Sequence, residues 1–158
     1  MKSRISRPAT LLVIASIAAT LCQGAMADDR RKCKNIDADL SVVSNGNGTT
    51  SGTVRHGGKL DGTTRAVFTS PLSPTPNPAA FSYTDEFSVT TDRGVLKAHN
   101  VGLFVVSNGL FSEIAVIDSG ASTGNFAAAT GALYINGKTS DAGATFQAEI
   151  TGEICFSD

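Results

Sequence analysis

Residues 117–131 hold the densest set of side chains with recognisable chemical uses. Gly120-Ala121-Ser122-Thr123-Gly124 fits the G-x-S-x-G nucleophile elbow, in which a sharp strand-to-helix turn presents a serine for attack on an acyl carbon. That chemistry needs an acid and then a histidine later in the chain. Both histidines, His56 and His99, precede Ser122, and Gly131 cuts short the helix that should leave the turn. Acyl transfer by Ser122 is therefore not expected. Asp118-Ser119-Gly120 reads in two ways: as an ordinary turn at a strand end, or as one half of a carboxylate pair that shares a proton across two chains. Metal chemistry is not expected either, because the cysteines form no Cys-x-x-Cys and the histidines lack ligand-like spacing.

A second group consists of polar side chains that strand alternation sets among apolar ones. Tyr83 and Asp85 share the face of Phe81 and Phe87. Lys97 and His99 share that of Val95, Val101 and Leu103, and Glu113 that of Phe111, Ala115 and Ile117. Small-molecule sites combine an apolar wall with a few polar groups, so these five are the candidate polar residues of a cavity. Near a strand end the same residues would be rim or structural groups.

The elements that carry these residues are strands throughout. Leu40 to Val43 meets Thr53-Val54 across Asn45-Gly46-Asn47-Gly48, whose Asn-Gly steps supply the positive φ of a hairpin turn. Gly62 to Phe68 forms a third strand. Pro71, Pro74, Pro76 and Pro78 then mark a long exposed loop without regular pairing, of the kind that often sits at a binding-site mouth. Phe81 to Thr90 alternates apolar and polar with period two. Asp92-Arg93-Gly94 turns the chain into Val95–Val106, and Ser107-Asn108-Gly109 turns it again into Leu110–Ile117. Ala132–Ile135 and Thr145–Phe156 complete the set. The best helical candidate is the short Phe126-Ala127-Ala128-Ala129.

The compartment follows from the first residues. Lys2, Arg4 and Arg7 precede an apolar run from Ala9 to Leu21, and Ala25-Met26-Ala27 supplies the small residues of a cleavage site. Residues 1–27 read as a signal peptide cleaved after Ala27, and the run is too short to span a bilayer. Leu21 before Cys22 argues against a lipid anchor. Export to the periplasm or the medium is expected. Without its three basic residues the chain keeps 10 of 13 basic residues against 14 acidic ones, a net charge near −4, which makes nucleic acid a poor partner. Arg30-Arg31-Lys32 with Lys34 reads as a solvated N-terminal segment. Asn47-Gly48-Thr49 is a glycosylation sequon, relevant only in a glycosylating host.

Residues 28–158, 131 in all, suffice for one domain. Cys33 and Cys155 remain after cleavage, and an even pair in an oxidising compartment invites a disulfide. About eight strands with one apolar face each must stack as sheets or close as a barrel. A barrel seats the first and last strands side by side, where a Cys33–Cys155 link would fall; an immunoglobulin sandwich would want an internal pair around a Trp, and the chain has none. The expected fold is all-β, a single antiparallel eight-stranded barrel.

Two resemblances bear on function. Val116-Ile117-Asp118-Ser119-Gly120-Ala121-Ser122 resembles the active-site segment of retroviral-type aspartic proteases, although only 40 residues follow Asp118, where that family places most of its fold. Thr123-Gly124-Asn125-Phe126-Ala127-Ala128-Ala129-Thr130-Gly131, followed by Phe146-Gln147-Ala148-Glu149-Ile150-Thr151-Gly152, is similar to the C-terminal signature of the allene oxide cyclase and dirigent barrel superfamily. Gly120, Gly124, Phe126, Ala129 and Gly131 make up the corresponding structural turn motif here, with Ser122 standing where that family usually has its first glycine. This resemblance implies a calycin-type eight-stranded barrel with an apolar cavity, a dimeric or trimeric homo-oligomer, and a lipid-derived or phenolic ligand. It carries over no catalytic residue. The leading expectation is an exported barrel that binds a small apolar or phenolic molecule without metal or cofactor. The alternatives are an isomerase or cyclase using the same cavity, a structural barrel without ligand, and a protease acting through Asp118.

Overall fold

A computed structural model describes residues 32–140 and 143–157 of the chain; the expected signal segment, and Arg30 and Arg31 of the basic cluster, lie outside the described residues. The period-two alternation of the sequence becomes a set of antiparallel strands: β1 (Lys32–Gly46), β2 (Thr49–Arg55), β3 (Gly62–Phe68), a two-residue β4 (Ser73–Pro74), β5 (Ala80–Thr91), β6 (Gly94–Val105), β7 (Leu110–Ile117), β8 (Thr130–Ser140) and β9 (Thr145–Phe156). Asn47 supports the first hairpin with φ 55°. Asn108 supports the β6–β7 turn by accepting a hydrogen bond from the Leu110 amide at 3.0 Å.

The strands run in the order β3-β2-β1-β9-β8-β7-β6-β5, and β3 also pairs with β5, so the sheet closes into an eight-stranded antiparallel barrel. Closure satisfies the backbone donors and acceptors that an open edge would leave exposed. The first and last strands adjoin over twelve pairs, from Lys32 opposite Phe156 to Val43 opposite Thr145, and Cys33 lies directly across from Cys155. The two are joined in a disulfide.

Four expectations are corrected. β1 reaches back to Lys32, so Lys32 and Lys34 are exposed strand residues beside β9 and not part of a solvated tail. β8 runs well beyond Ala132–Ile135: Gly137 and the polar outward Asn136 and Lys138 hide the alternation, while partners on both sides supply its ladder. The proline loop does pair at one point, Ser73 opposite Ser82 and Pro74 opposite Phe81; a proline is tolerated there because the strand is an edge. Phe126 to Ala129 forms no helix, only a 3-10 turn over Gly124–Phe126.

The barrel is packed at one end and open at the other. At the packed end Phe126 enters the core beside Leu60, Leu96 and Ile154, all essentially without solvent contact. Ala129 is fully buried, and Gly131 brings the chain close against β9: a Cβ at that position would stand 2.1 Å from the Glu153 carbonyl oxygen, and its φ is +135°. Only glycine fits both conditions. Outside, Val101, Ile114 and Tyr134 form an exposed apolar row across β6, β7 and β8.

The disulfide links residues 122 apart, so it restricts the unfolded chain far more than the folded one, worth ~4–5 kcal/mol in the chain-entropy treatment. The double replacement Cys33→Ser with Cys155→Ser is expected to lower unfolding free energy by about 2–5 kcal/mol in urea titration. Equal midpoints for the two proteins would show that the link contributes nothing.

Candidate functional site

Three inward positions on adjacent strands build the centre of the site. Tyr83 of β5 pairs with Gly102 of β6, and Gly102 pairs with Glu113 of β7. The Tyr83 ring lies across the glycine, where any Cβ would meet the ring at 2.4 Å. The missing side chain thus opens a path, and the Tyr83 hydroxyl donates to Glu113 Oε1 at 2.6 Å. One register step deeper, Asp85 of β5 pairs with Asn100 of β6. Asn100 Nδ2 donates to Glu113 Oε2 at 2.9 Å. Both carboxylate oxygens of Glu113 are therefore engaged, whereas Asp85 Oδ1, Asn100 Oδ1 and Thr64 Oγ1 are buried without a hydrogen-bond partner. A buried polar oxygen without a partner costs about 1–3 kcal/mol, so Asp85 and Asn100, paired across β5 and β6, mark a place held against stability.

Burial governs the protonation of this group. Asp85 is pushed up to about 8, first by desolvation and then by the negative charge of Glu113. Desolvation also raises Glu113, opposed by the hydrogen bonds from Tyr83 and Asn100. Tyr83 rises as well, through its own burial and then the neighbouring carboxylate. Two carboxyls in one low-dielectric space resist ionising together, and the one that lacks donors keeps its proton longer.

The cluster lies below the open end. Phe68, Pro71, Leu72, Phe104, Phe111 and Phe146 line a cavity of about 370 Å³ there, with Tyr83 also on its wall. Phe68, Tyr83, Phe111 and Phe146 also line a smaller inner space of about 40 Å³ that touches Asp85 and Glu113. The aromatic rings pack on one another, Phe111 edge-on to Phe146 at 5.8 Å and Phe68 tilted to Tyr83 at 5.3 Å. Pro71 and Leu72 bring the proline loop to this rim, and the Ser70 hydroxyl pins it by accepting from the Thr84 amide at 2.8 Å. A larger trough of about 1100 Å³ crosses the outer surface between β2 and β6, lined by such residues as Asp39, Arg55, Lys138 and Glu149. It is shallow and solvent-facing, with charges of both signs, and reaches none of the buried polar groups.

Of the five candidate polar residues, Tyr83, Asp85 and Glu113 are brought together inside. Lys97 and His99 are not: both are exposed on the outer face of β6, whose interior side carries Leu96, Ala98, Asn100 and Gly102. β6 has apolar residues on both faces, and the stripe of Val95, Val101 and Leu103, expected to face inward, is the outer of two similar stripes. Alternation alone passes over Asn100 and Gly102 for the same reason. Their signal is the Asn and Gly interrupting the even-numbered stripe.

The motif region performs structural work. Asp118 Oδ1 accepts from the amides of Gly120 at 2.9 Å and Ala121 at 3.0 Å, an ordinary Asx turn. Its Oδ2 lies 3.2 Å from His99 Nε2. The Ala121 amide, with smaller help from the Gly120 amide and His99, holds this carboxyl below its usual range, opposite to the raised acid that a proton-sharing pair needs. Ser122 is buried, donating to the Asp118 carbonyl at 2.8 Å and accepting from the Lys97 amide at 3.0 Å. It fastens the turn to β6.

Comparison with models of known families, with curated proteins and with solved structures finds no match to this chain.

Two outcomes test the site. Gly102→Ala should displace the Tyr83 ring, break its bond to Glu113 and lower stability by roughly 1–3 kcal/mol; an unchanged Tyr83 ring resonance by NMR would count against the geometry. Folded Asp85 keeps its proton to about pH 8, whereas its ordinary value is 3.8. The folded state then binds more protons between those values, so its contribution to stability is full below about pH 4 and is lost as pH rises to about 8. Urea midpoints measured from pH 4.5 to 8.5 should fall, and Asp85→Asn should flatten the fall. An undiminished slope in that variant would assign the effect elsewhere.

Proposed function

We propose that the protein is an exported binder of small, mostly apolar molecules, which enter the barrel at its aromatic mouth and place a polar end against Tyr83, Asp85 and Glu113. The observation that carries this reading is an apolar mouth of about 370 Å³ that shares its aromatic lining with an inner space touching Glu113 and Asp85, whose buried Oδ1 lacks a partner. Its size lies within the range of ligand pockets, and an apolar wall with a few convergent polar groups is their usual composition. The likeness of the Thr123–Gly131 segment to allene oxide cyclase and dirigent barrels supports the same class of ligand. Export is supported by the signal-like residues 1–27 and by the Cys33–Cys155 disulfide, which favours an oxidising compartment.

A second reading, an isomerase or cyclase in the same cavity, is favoured by one observation. Asp85, held up to about 8 beside the donor-stabilised Glu113, gives a proton donor and a proton acceptor in one site, the arrangement that acid–base catalysis uses. Turnover of a bound lipid epoxide, lost in Asp85→Asn, would move the assignment from binder to enzyme.

Binding is tested with an environment-sensitive apolar fluorophore. Leu72 is half exposed at the rim, so Leu72→Asp should leave the fold intact and weaken probe binding about five- to tenfold, the loss expected from one partly buried leucine. Saturable binding that Leu72→Asp leaves unchanged would place the probe outside the mouth, and no saturable binding of any apolar probe would end the proposal.

A further inference from the structure

The polar atoms inside the barrel specify the kind of head group that can reach them. Among the described residues every buried side-chain atom without a partner is an oxygen, and two of the three, Asp85 Oδ1 and Asn100 Oδ1, accept hydrogen bonds when the carboxyl is ionised. Tyr83 and Asn100 already donate to Glu113; the other donors are the Thr64 hydroxyl and, while it keeps its proton, the Asp85 carboxyl. Among the described residues no Lys, Arg or His lines the mouth or the inner space, and Lys97 and His99 face outward. The interior therefore holds two carboxyls and no cation, and once both carboxyls ionise its acceptors outnumber its donors.

We infer that the molecule taken in at the mouth is a cationic amine with an apolar or aromatic body, its ammonium group held between Asp85 and Glu113 and its body packed among Phe68, Phe104, Phe111 and Phe146. The inference rests on the mouth being the binding site. At the two carboxyls a carbonyl head could accept only from Asp85 in its protonated form and would leave Glu113 without a cation, and a carboxylate would add a further acid to a space that already holds two. A hydroxyl would bring one donor. A primary ammonium brings three donors and the compensating charge, which lets both carboxyls ionise in a space where neither has a cation. The aromatic walls suit the same guest, since ring faces attract cations as well as apolar surface. The chemistry selects against fatty acids and in favour of arylalkylamines.

Three matched probes decide it: tryptamine, its neutral alcohol tryptophol, and indole-3-acetate, each titrated calorimetrically into the purified protein near neutral pH. Tryptamine should bind at least tenfold more tightly than tryptophol, and indole-3-acetate most weakly. The double replacement Asp85→Asn with Glu113→Gln, checked for folding by its thermal transition, should bring the tryptamine-to-tryptophol ratio close to one. If tryptophol binds as well as tryptamine, the amine assignment is overturned while the mouth remains the binding site. If none of the three binds, the amine assignment falls, and the fluorophore titration decides whether the mouth binds apolar molecules at all. An amine preference that survives in a folded double variant would place the cation somewhere other than Asp85 and Glu113, and also overturns the assignment.

Discussion

Closure of the backbone ladder is the constraint on which everything else in this structure depends. Each of the eight barrel strands has a hydrogen-bonded neighbour on both sides, with β1 against β9 and β3 against β5 completing the ring. A closed ring of eight strands leaves an interior just wide enough for side chains to fill or for one small guest. Which of these occurs is decided by the inward residues. At one end Phe126, Leu96 and Ile154 fill it. At the other the rings stand around a space, and the difference between the two ends makes the barrel a cup.

The polar cluster depends on that closure in turn. Tyr83 and Glu113 are 30 residues apart and on strands that do not touch. They meet because both point inward at the same register level, and because the strand between them carries glycine at that level. Burial then sets their chemistry: the same carboxyls on the outer face would titrate as ordinary surface acids, as the turn-capped Asp118 illustrates from the other side by staying low. A closed interior raises the cost of each unpaired oxygen, and a site that retains such a cost is one where an incoming group gains by removing it. Here structure and proposed function are linked through one quantity, the free energy of the unfilled acceptors.

Much of this is legible in the chain alone. The ends of β3, β7 and β9 follow from alternation and turn residues, since period-two patterning and Asn-Gly steps act over a few residues. The Cys33–Cys155 pair and the barrel it suggests are legible because the cleavage expected after Ala27 would leave two cysteines, one near each end of residues 28–158. Tyr83, Asp85 and Glu113 stand out as polar residues on apolar stripes. β8 reads short because Gly137 and its polar neighbours carry no alternation, and its ladder comes entirely from β7 and β9. A strand can borrow its conformation from its neighbours.

The sequence by itself determined most of the strands, their turns, the cysteine pair and the general class of the fold, because each rests on interactions between near neighbours or on a count of two. The first half of β1, the short β4 and the full length of β8 rest instead on pairing with other strands. Tertiary structure alone decided which stripe of β6 faces inward, and so replaced Lys97 and His99 with Asn100 and Gly102 in the site. The physical reason is that alternation has a period but no sign. Where both faces of a strand carry apolar residues, only the packing of the strands on either side settles which face is shut away from water, and with it which charges are left outside.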